Sequence, residues 1–346
     1  MTTPAAPESI CLLRLSALGD ATHVVPLIRT LRRAWPQVPI TWILGKAEAR
    51  LLEGLADVEL IAFDKSAGIA GLRELRQLLG GRRFDVFLQM QLSLRANLLS
   101  ALVAAERRIG FDRARSKEGH ALFINETIPP GGHHVLDVFG KFCEPLGLHQ
   151  DRVEWNLPVP QAAREWAAEQ LPGQQPTLII SPCSSHALRN WRPERYAAVA
   201  DHAHARGWRI AICGGRSARE RAMGDAILAA IRYPALDLIG KDTLKQLLAL
   251  LERATLVLSP DSGPAHMANA MGSKVIGLFA CTDRERCGPY SDLHFSVNHY
   301  DQAARKYLGK PASALPWGKR VEFPGVMDLI PVEEVVARFD TFNGNS

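Results

Sequence analysis

The stretch TLVLSPDSGPAHMANAMGSKVIGLF, residues 255–279, determines how the second half of the chain folds. Two apolar runs, 255–259 and 274–279, flank a helical pattern at 265–271, which is typical of a strand–helix–strand unit. Gly263 and Pro264 stand where the helix begins, and both residues favour a tight turn into a first helical turn. The stretch therefore predicts one unit of a doubly wound α/β sheet.

The same alternation extends outward through the chain. Strands are predicted in the first half at 10–15, 40–44, 58–63 and 84–90, and helices at 24–31, 72–79 and 94–105. In the second half, strands are predicted at 177–181, 209–213, 235–239, 255–259 and 274–279, and helices at 194–206, 218–231, 244–254 and 265–271. Two α/β domains with parallel sheets follow from this pattern.

The proline-rich segment 156–176 is typical of a connection between domains. We therefore predict an N-terminal domain at 1–160 and a C-terminal domain at 161–330, with no regular structure assigned to 283–331. A last helix within 331–346 is expected to pack back on the N-terminal domain. Ligands of open α/β sheets bind at the carboxyl ends of strands, so the motifs should cluster there.

Composition narrows the functional classes. The chain has 346 residues, 47% of them hydrophobic and 22% charged, as in ordinary soluble domains. A net charge of +5 without a recognised module argues against nucleic acid as a partner. Six scattered cysteines, no signal peptide in residues 1–9 and no long apolar run predict a cytoplasmic protein, with peripheral contact at a membrane surface left open.

The segment SALGDATH, residues 16–23, lies between the first predicted strand and the first predicted helix. Asp20 there is typical of a helix cap, in which a carboxylate accepts backbone N–H bonds. Because this is also the ligand-binding edge of the sheet, the carboxylate is a candidate general base for an acceptor hydroxyl. The residues alone leave both interpretations open.

The segment SPDSGPAH, residues 259–266, is the most specific motif in the sequence. The N–H groups of Ser262, Gly263 and the first helical turn are predicted to bind a diphosphate, as helix N-termini bind anions. Asp261 precedes that turn, and His266 is placed to donate to phosphate or to a sugar hydroxyl. The alternatives are a capped helix and a half-buried structural histidine.

A third polar segment, 181–191, follows the first strand of the second domain. The hydroxyls of Ser184 and Ser185 and the guanidinium of Arg189 suit a diphosphate leaving group, which needs its charge neutralised. The alternative is a solvated basic loop. Weaker signals are Glu220 after the glycines of 214–215 and Asp242 in the turn 240–243, each of which also fits a turn with a helix cap.

The first domain carries basic residues that suit an acidic acceptor or form a solvated charged face, and the set is Arg95, Arg107, Arg108, Arg113, Arg115 and Lys117. Neither GxGxxG nor GxxxxGK[ST] occurs, which argues against a dinucleotide oxidoreductase or a P-loop enzyme. No carboxylate spacing indicates a metal site, so no tightly bound cofactor is predicted and loosely bound Mg²⁺ stays open.

Residues 18–20, 261–266 and 272–279 together resemble the ADP-heptose:lipopolysaccharide heptosyltransferases, glycosyltransferase family 9, over nearly the whole chain up to Pro289. The resemblance implies a GT-B fold, in which two Rossmann-like, doubly wound parallel-sheet domains face a central cleft. It implies ADP-heptose as the donor and the inner core of lipopolysaccharide, of the Kdo–lipid A type, as the acceptor. It also implies an inverting mechanism with Asp20 as the base.

The resemblance further implies the donor-binding residues, which are Ser184, Ser185 and Arg189 for the diphosphate, Asp261, Ser262, Gly263 and His266 for diphosphate and sugar, Glu220 for the ribose, and the Asp242 loop for the adenine. Family members often have Lys at the position of Arg189 and Thr at the serine positions, so the charge and the hydroxyls are kept. Arg95 and Arg113 are our candidates for acceptor binding. The segment 306–327 is longer than in the common heptosyltransferases and is similar to saccharide biosynthesis proteins of plant pathogens.

Two other functions remain open from the sequence. One is a GT-B transferase that uses another nucleotide sugar for a surface polysaccharide. The other is a non-catalytic protein that binds a nucleotide sugar. Such a protein would bind its ligand equally well when Asp20 is replaced.

Overall fold

The computed structural model describes residues 4–343, and the chain divides after Pro158 into two compact units. Within residues 4–343, no helix is both long enough and apolar enough to cross a bilayer. Each unit is built on its own parallel sheet.

The first unit contains strands β1 to β6, at Ile10–Leu13, Ile40–Gly45, Val58–Phe63, Arg83–Gln89, Ala104–Gly110 and Glu126–Thr127. Its helices α1 to α5 span Leu18–Ala34, Lys46–Leu52, Gly68–Leu79, Leu94–Ser100 and Val135–Gly140, and short 3-10 helices lie at His120–Phe123 and Lys141–Leu146. In the described residues the strands pair in parallel in the order β3-β2-β1-β4-β5-β6. All four residues of β1 are buried, as expected for a central parallel strand that helices cover on both faces.

The second unit contains strands β7 to β12, at Thr177–Ile180, Arg209–Gly214, Leu236–Ile239, Leu256–Pro260, Lys274–Phe279 and Val297–Asn298. Its helices α6 to α13 span Gln161–Gln170, Pro193–His204, Ala218–Ala230, Leu244–Arg253, Gly263–Ala270, Arg284–Cys287, Tyr300–Leu308 and Val332–Asn343. In the described residues the order is β12-β11-β10-β7-β8-β9, again all parallel. The prediction of two doubly wound α/β domains is confirmed.

Two stretches differ from the sequence prediction. The helix predicted at 94–105 ends at Ser100, and β5 begins at Ala104. The sequence does not indicate this strand, because AAERRIG is rich in charged residues and poor in β-branched ones. Its Arg107 is satisfied by an ion pair with Glu126 of β6 at 2.7 Å. The sequence predicts no regular structure at 283–331, yet this region contains α11, β12 and α12.

The sequence predicts that the C-terminal helix packs on the first domain, whereas in the structure the buried face of α13 lies in the core of the second unit. Val335 and Phe339, one turn apart, are fully buried in the hydrophobic core of the second unit. The Phe339 ring meets the Trp208 ring at 4.9 Å between centroids, and His202 of α7 bonds to Asp340 at 2.8 Å. The apolar stripe of α13 therefore completes the second unit.

We expect Phe339→Ala to lower the free energy of unfolding of the second unit by about 3–5 kcal/mol, because a fully buried ring leaves a cavity. Urea denaturation would give the size of the loss, and hydrogen exchange would locate it in the second unit. Arg338→Ala, on the exposed face of the same helix, should change stability by no more than about 0.5 kcal/mol. Loss of exchange protection in the first unit alone would contradict this placement of α13.

Candidate active site

Asp20 lies at the carboxyl edge of the first unit's sheet, in the first turn of α1 just after β1. Its Oδ2 accepts a hydrogen bond from the N–H of Ala17 at 3.1 Å, so the side chain does stabilise the helix start, from inside the helix rather than from the cap position. The same oxygen lies 2.6 Å from Nη2 of Arg14, and 32% of the Asp20 side chain is exposed. The carboxylate is therefore oriented and still reachable by a ligand.

Arg14 is a site residue that sequence reasoning missed. Its Nη1 donates to the carbonyl of Met90 at 2.7 Å, and its guanidinium lies 5.1 Å from the centre of the Phe139 ring. Contacts from α1, from the end of β4 and from α5 thus hold the Arg14 guanidinium beside Asp20. The available signal was an arginine directly after the buried run of β1, where a charge needs a partner.

The basic set of the first unit separates into two groups. Arg108 donates to the carbonyls of Ser100, Val103 and Phe123, and the buried Arg115 pairs with Asp112, so these side chains hold the fold together. Arg107 likewise pairs with β6, as described above. Arg95, Arg113 and Lys117 are exposed and remain candidates for an acidic ligand.

The second unit brings its two strongest motifs together at the ends of adjacent strands, β7 and β10. The N–H of Ser181 bonds to the carbonyl of Leu258 at 3.0 Å, which continues the pairing one residue past the strand. Ser259 Oγ then donates to the carbonyl of Ser181 at 2.9 Å and lies 2.7 Å from the hydroxyl of Ser262. Helix α10 begins at Gly263, directly after this hydroxyl pair.

Three ionisable side chains, Arg189, Asp261 and His266, form a row across these two loops, the charge row. Arg189 Nη1 lies 3.3 Å from Asp261 Oδ2, and Asp261 Oδ1 lies 3.7 Å from His266 Nε2. Burial would raise the pKa of Asp261, but hydrogen bonding to His266 and the charges of His266 and Arg189 outweigh burial and lower that pKa. Asp261 therefore stays ionised and fixes both basic side chains at the start of α10.

The hydroxyl of Ser184 also indicates a ligand at this loop. Its Oγ is buried and has no hydrogen-bond partner among the described residues. Such an orphaned polar atom costs stability unless a ligand or a water satisfies it. Ser185, by contrast, is exposed, and Arg219 of α8 donates to the carbonyls of both serines at 2.9 and 3.2 Å. Arg219 is a second residue that the sequence motifs did not indicate.

Glu220 and Asp242 lie beyond β8 and β9. Glu220 accepts bonds from the Gly215 N–H at 3.0 Å and from the Ser217 hydroxyl at 2.7 Å, which is the helix-cap arrangement left open above. Asp242 differs, because its Oδ2 is buried and accepts no hydrogen bond from the described part of the chain. Burial raises the pKa of Asp242 to about 6, and the nearby Glu220 charge adds to the shift.

Comparisons with known proteins point to one family. The model of glycosyltransferase family 9 (heptosyltransferase) matches residues 72–317. The lipopolysaccharide core heptosyltransferase OpsX of Haemophilus influenzae is 39% identical over 96% of both chains. A family 9 glycosyl transferase structure from Veillonella parvula superposes with a TM-score of 0.80, at 21% identity over 98% of both chains. The Escherichia coli ADP-heptose lipopolysaccharide heptosyltransferase II structure gives 0.71 at 17% identity, covering 98% of this chain and all of its own.

Asp242 gives the site a pH-dependent stability. The unfolded carboxyl loses its proton near its ordinary pKa of about 3.9, whereas the folded one keeps it to about 6, so this group's contribution to stability is lost as the pH rises through that window. We expect Asp242→Asn to be more stable than the wild type by about 2 kcal/mol at about pH 8, and to lose that advantage at about pH 4. Urea denaturation at the two pH values measures this, and an equal difference at both would contradict a carboxyl whose pKa is raised by burial.

Proposed function

This chain belongs to glycosyltransferase family 9, the heptosyltransferases, and from that membership we propose that it transfers heptose from ADP-heptose to the inner core of lipopolysaccharide. The observation that carries the proposal is the 39% identity to a lipopolysaccharide core heptosyltransferase over 96% of both chains. The motifs at the strand ends of each unit supply groups that suit this reaction.

In the proposed donor site, the diphosphate of ADP-heptose lies at the N-terminus of α10. The N–H groups at Gly263, the Ser184 hydroxyl and the Arg189 guanidinium offer hydrogen bonds and positive charge to it. As the glycosidic bond breaks, negative charge grows on the departing ADP, and these groups stabilise it. Ser185, Asp261, Ser262 and His266 complete the proposed contacts to diphosphate and sugar.

The nucleoside end of the donor is assigned to the edge of the second sheet. We propose that Glu220 binds the ribose hydroxyls and that the Asp242 loop binds the adenine. The buried Oδ2 of Asp242 suits the amino group of a purine, because it needs a donor that the described residues do not supply. Glu220 would bind ribose while keeping its bonds to Gly215 and Ser217.

The proposed chemical step is a single displacement with inversion. Asp20 takes the proton of an acceptor hydroxyl, whose oxygen forms a bond to the anomeric carbon as the bond from that carbon to the ADP oxygen breaks. Arg14 holds the carboxylate at 2.6 Å in one orientation for this proton transfer. In this proposal the N-terminus of α10, the Ser184 hydroxyl and Arg189 stabilise the leaving group by hydrogen bonds, without a tightly bound metal.

The acceptor carries acidic groups and a lipid anchor, and the first unit has a surface that suits both. Leu94 and Leu98, one turn apart on α4, are 54% and 56% exposed, and Leu122 on the neighbouring 3-10 helix is 85% exposed. Arg95 and Arg113 are exposed in the same part of the chain. We propose that these arginines bind the acceptor and that the leucines touch the cytoplasmic face of the inner membrane.

The first test is ADP release from ADP-heptose with Kdo–lipid A as acceptor, after dialysis against EDTA. Asp20→Asn should lower kcat by about 10²- to 10⁴-fold, the usual contribution of a general base, while ADP binding is unchanged. Glu154→Gln removes an exposed ion pair of the same unit and should leave kcat unchanged.

Each result has a distinct meaning. Full turnover by Asp20→Asn would exclude Asp20 as the base. Loss of wild-type activity in EDTA, with recovery on adding Mg²⁺, would show that a metal takes part. Donor binding without release to any lipopolysaccharide acceptor would favour a different acceptor, and binding of another nucleotide sugar in preference to ADP-heptose would change the donor.

The membrane surface is tested with vesicles. The wild type should co-sediment with vesicles that contain anionic lipid, and replacing Leu94, Leu98 and Leu122 together by Ser should weaken this by about tenfold, because three apolar side chains no longer enter the interface. Tyr233→Ser, an exposed aromatic of the second unit, is the control and should bind like the wild type. Unchanged binding of the triple variant would remove the leucines from the contact.

A further inference from the structure

The segment 306–327, which no motif explained, contributes a side chain to the charge row. Oε1 of Glu322 accepts a hydrogen bond from Nε of Arg189 at 2.8 Å and lies 2.7 Å from its Nη2. The side chains are 20% and 9% exposed, so this is a well-shielded pair rather than a surface ion pair. Arg189 is therefore fixed from two sides, by Glu322 and by Asp261.

The residues on both sides of Glu322 make contacts that do not involve Arg189. The N–H of Val321 donates to the carbonyl of Cys281 at 2.8 Å, and the Val321 side chain is fully buried. The ring of Phe323 stacks on that of Tyr307, 5.4 Å between centroids and 17° between planes. These contacts hold the carboxylate in place beyond the end of β11, next to the loop that carries Arg189.

The geometry leaves one N–H of the guanidinium for a ligand. Glu322 occupies the Nε–Nη2 edge, while Nη1 donates one hydrogen bond to Asp261 at 3.3 Å and has a second N–H for which the described residues supply no acceptor. A long arginine side chain loses rotamer freedom when it binds a ligand, and a side chain that is already ordered loses less. A carboxylate on the far edge therefore favours diphosphate binding, although its own charge repels the phosphates.

We propose that Glu322 is a positioning residue of the donor site, which holds Arg189 ready for the diphosphate. The inference rests on the proposed function, because it takes Arg189 as a diphosphate ligand. It assigns the segment 306–327 to donor binding rather than to the acceptor or to another subunit.

A double-mutant cycle on ADP binding, measured by titration calorimetry with the full chain, tests this. Glu322→Ala should weaken ADP binding by about tenfold, the value of a charged hydrogen bond lost. Arg189→Ala should weaken it at least as much, and the double variant no more than Arg189→Ala alone. Glu322→Gln keeps an acceptor oxygen and should recover part of the affinity. If Glu322→Ala does not fold, Glu322→Gln takes its place in the cycle.

The matched control is Glu252→Ala. It removes another glutamate–arginine pair of the second unit, in which Arg164 donates to Glu252 at 2.8 and 3.0 Å, and it leaves Arg189 and Asp261 unchanged. It should bind ADP like the wild type. Additive effects in the cycle would overturn the inference, since Glu322 would then act without Arg189. Tighter ADP binding by Glu322→Ala would also overturn it, because the carboxylate would then compete with the diphosphate. Failure of the wild type to bind ADP would instead remove the proposed function, and this inference with it.

Discussion

The constraint on which the rest of the structure depends is the burial of both sheet faces. Parallel strands covered by helices leave no room for unpaired polar side chains along their length, so such groups collect in the loops beyond the strand ends. Ser181 and Ser259 show the transition, because each ends an apolar run, Ser181 directly after β7 and Ser259 near the end of β10. The same rule places Arg14 and Asp20 just past β1. The candidate site is therefore a consequence of the sheet architecture and of the residues that the loops carry.

At the end of β10 the polar groups are arranged so that Arg189 lies between two carboxylates and Asp261 lies between two basic side chains. Glu322, Arg189, Asp261 and His266 follow one another with separations of 2.7, 3.3 and 3.7 Å. A buried arginine or aspartate without such partners would cost several kcal/mol in desolvation. The alternation makes burial tolerable and also keeps the side chains in one geometry. An anionic ligand gains from that order, because the site need not rearrange to bind it.

How far the sequence could predict this structure depended on the range of the interactions. The βαβ alternation, both sheets and the loops of 16–23, 181–191 and 259–266 followed from local periodicity and turn residues, which are short-range signals. Glu322 was out of reach, because it meets Arg189 across 133 positions and lies in a region without a clear periodic pattern. Strand β5 was missed since its charged residues are satisfied by distant partners. The surface on which α13 packs could not be predicted for the same reason, because an apolar stripe does not identify the surface that it will cover.

The C-terminal region shows what such long-range contacts do for the loop 181–191. Trp191 Nε1 donates to the carbonyl of Ile330 at 3.0 Å, and Arg192 pairs with Asp328, so the residues just after Arg189 are tied to the chain just after Glu322. The family model ends at residue 317, before all three of these C-terminal partners. The loop and Asp261 therefore lie within the matched region, whereas Glu322, Asp328 and Ile330 lie outside it. The geometry of the loop 181–191 in this chain is thus set in part by residues beyond the region that the family model matches, because Glu322 fixes the far edge of the Arg189 guanidinium.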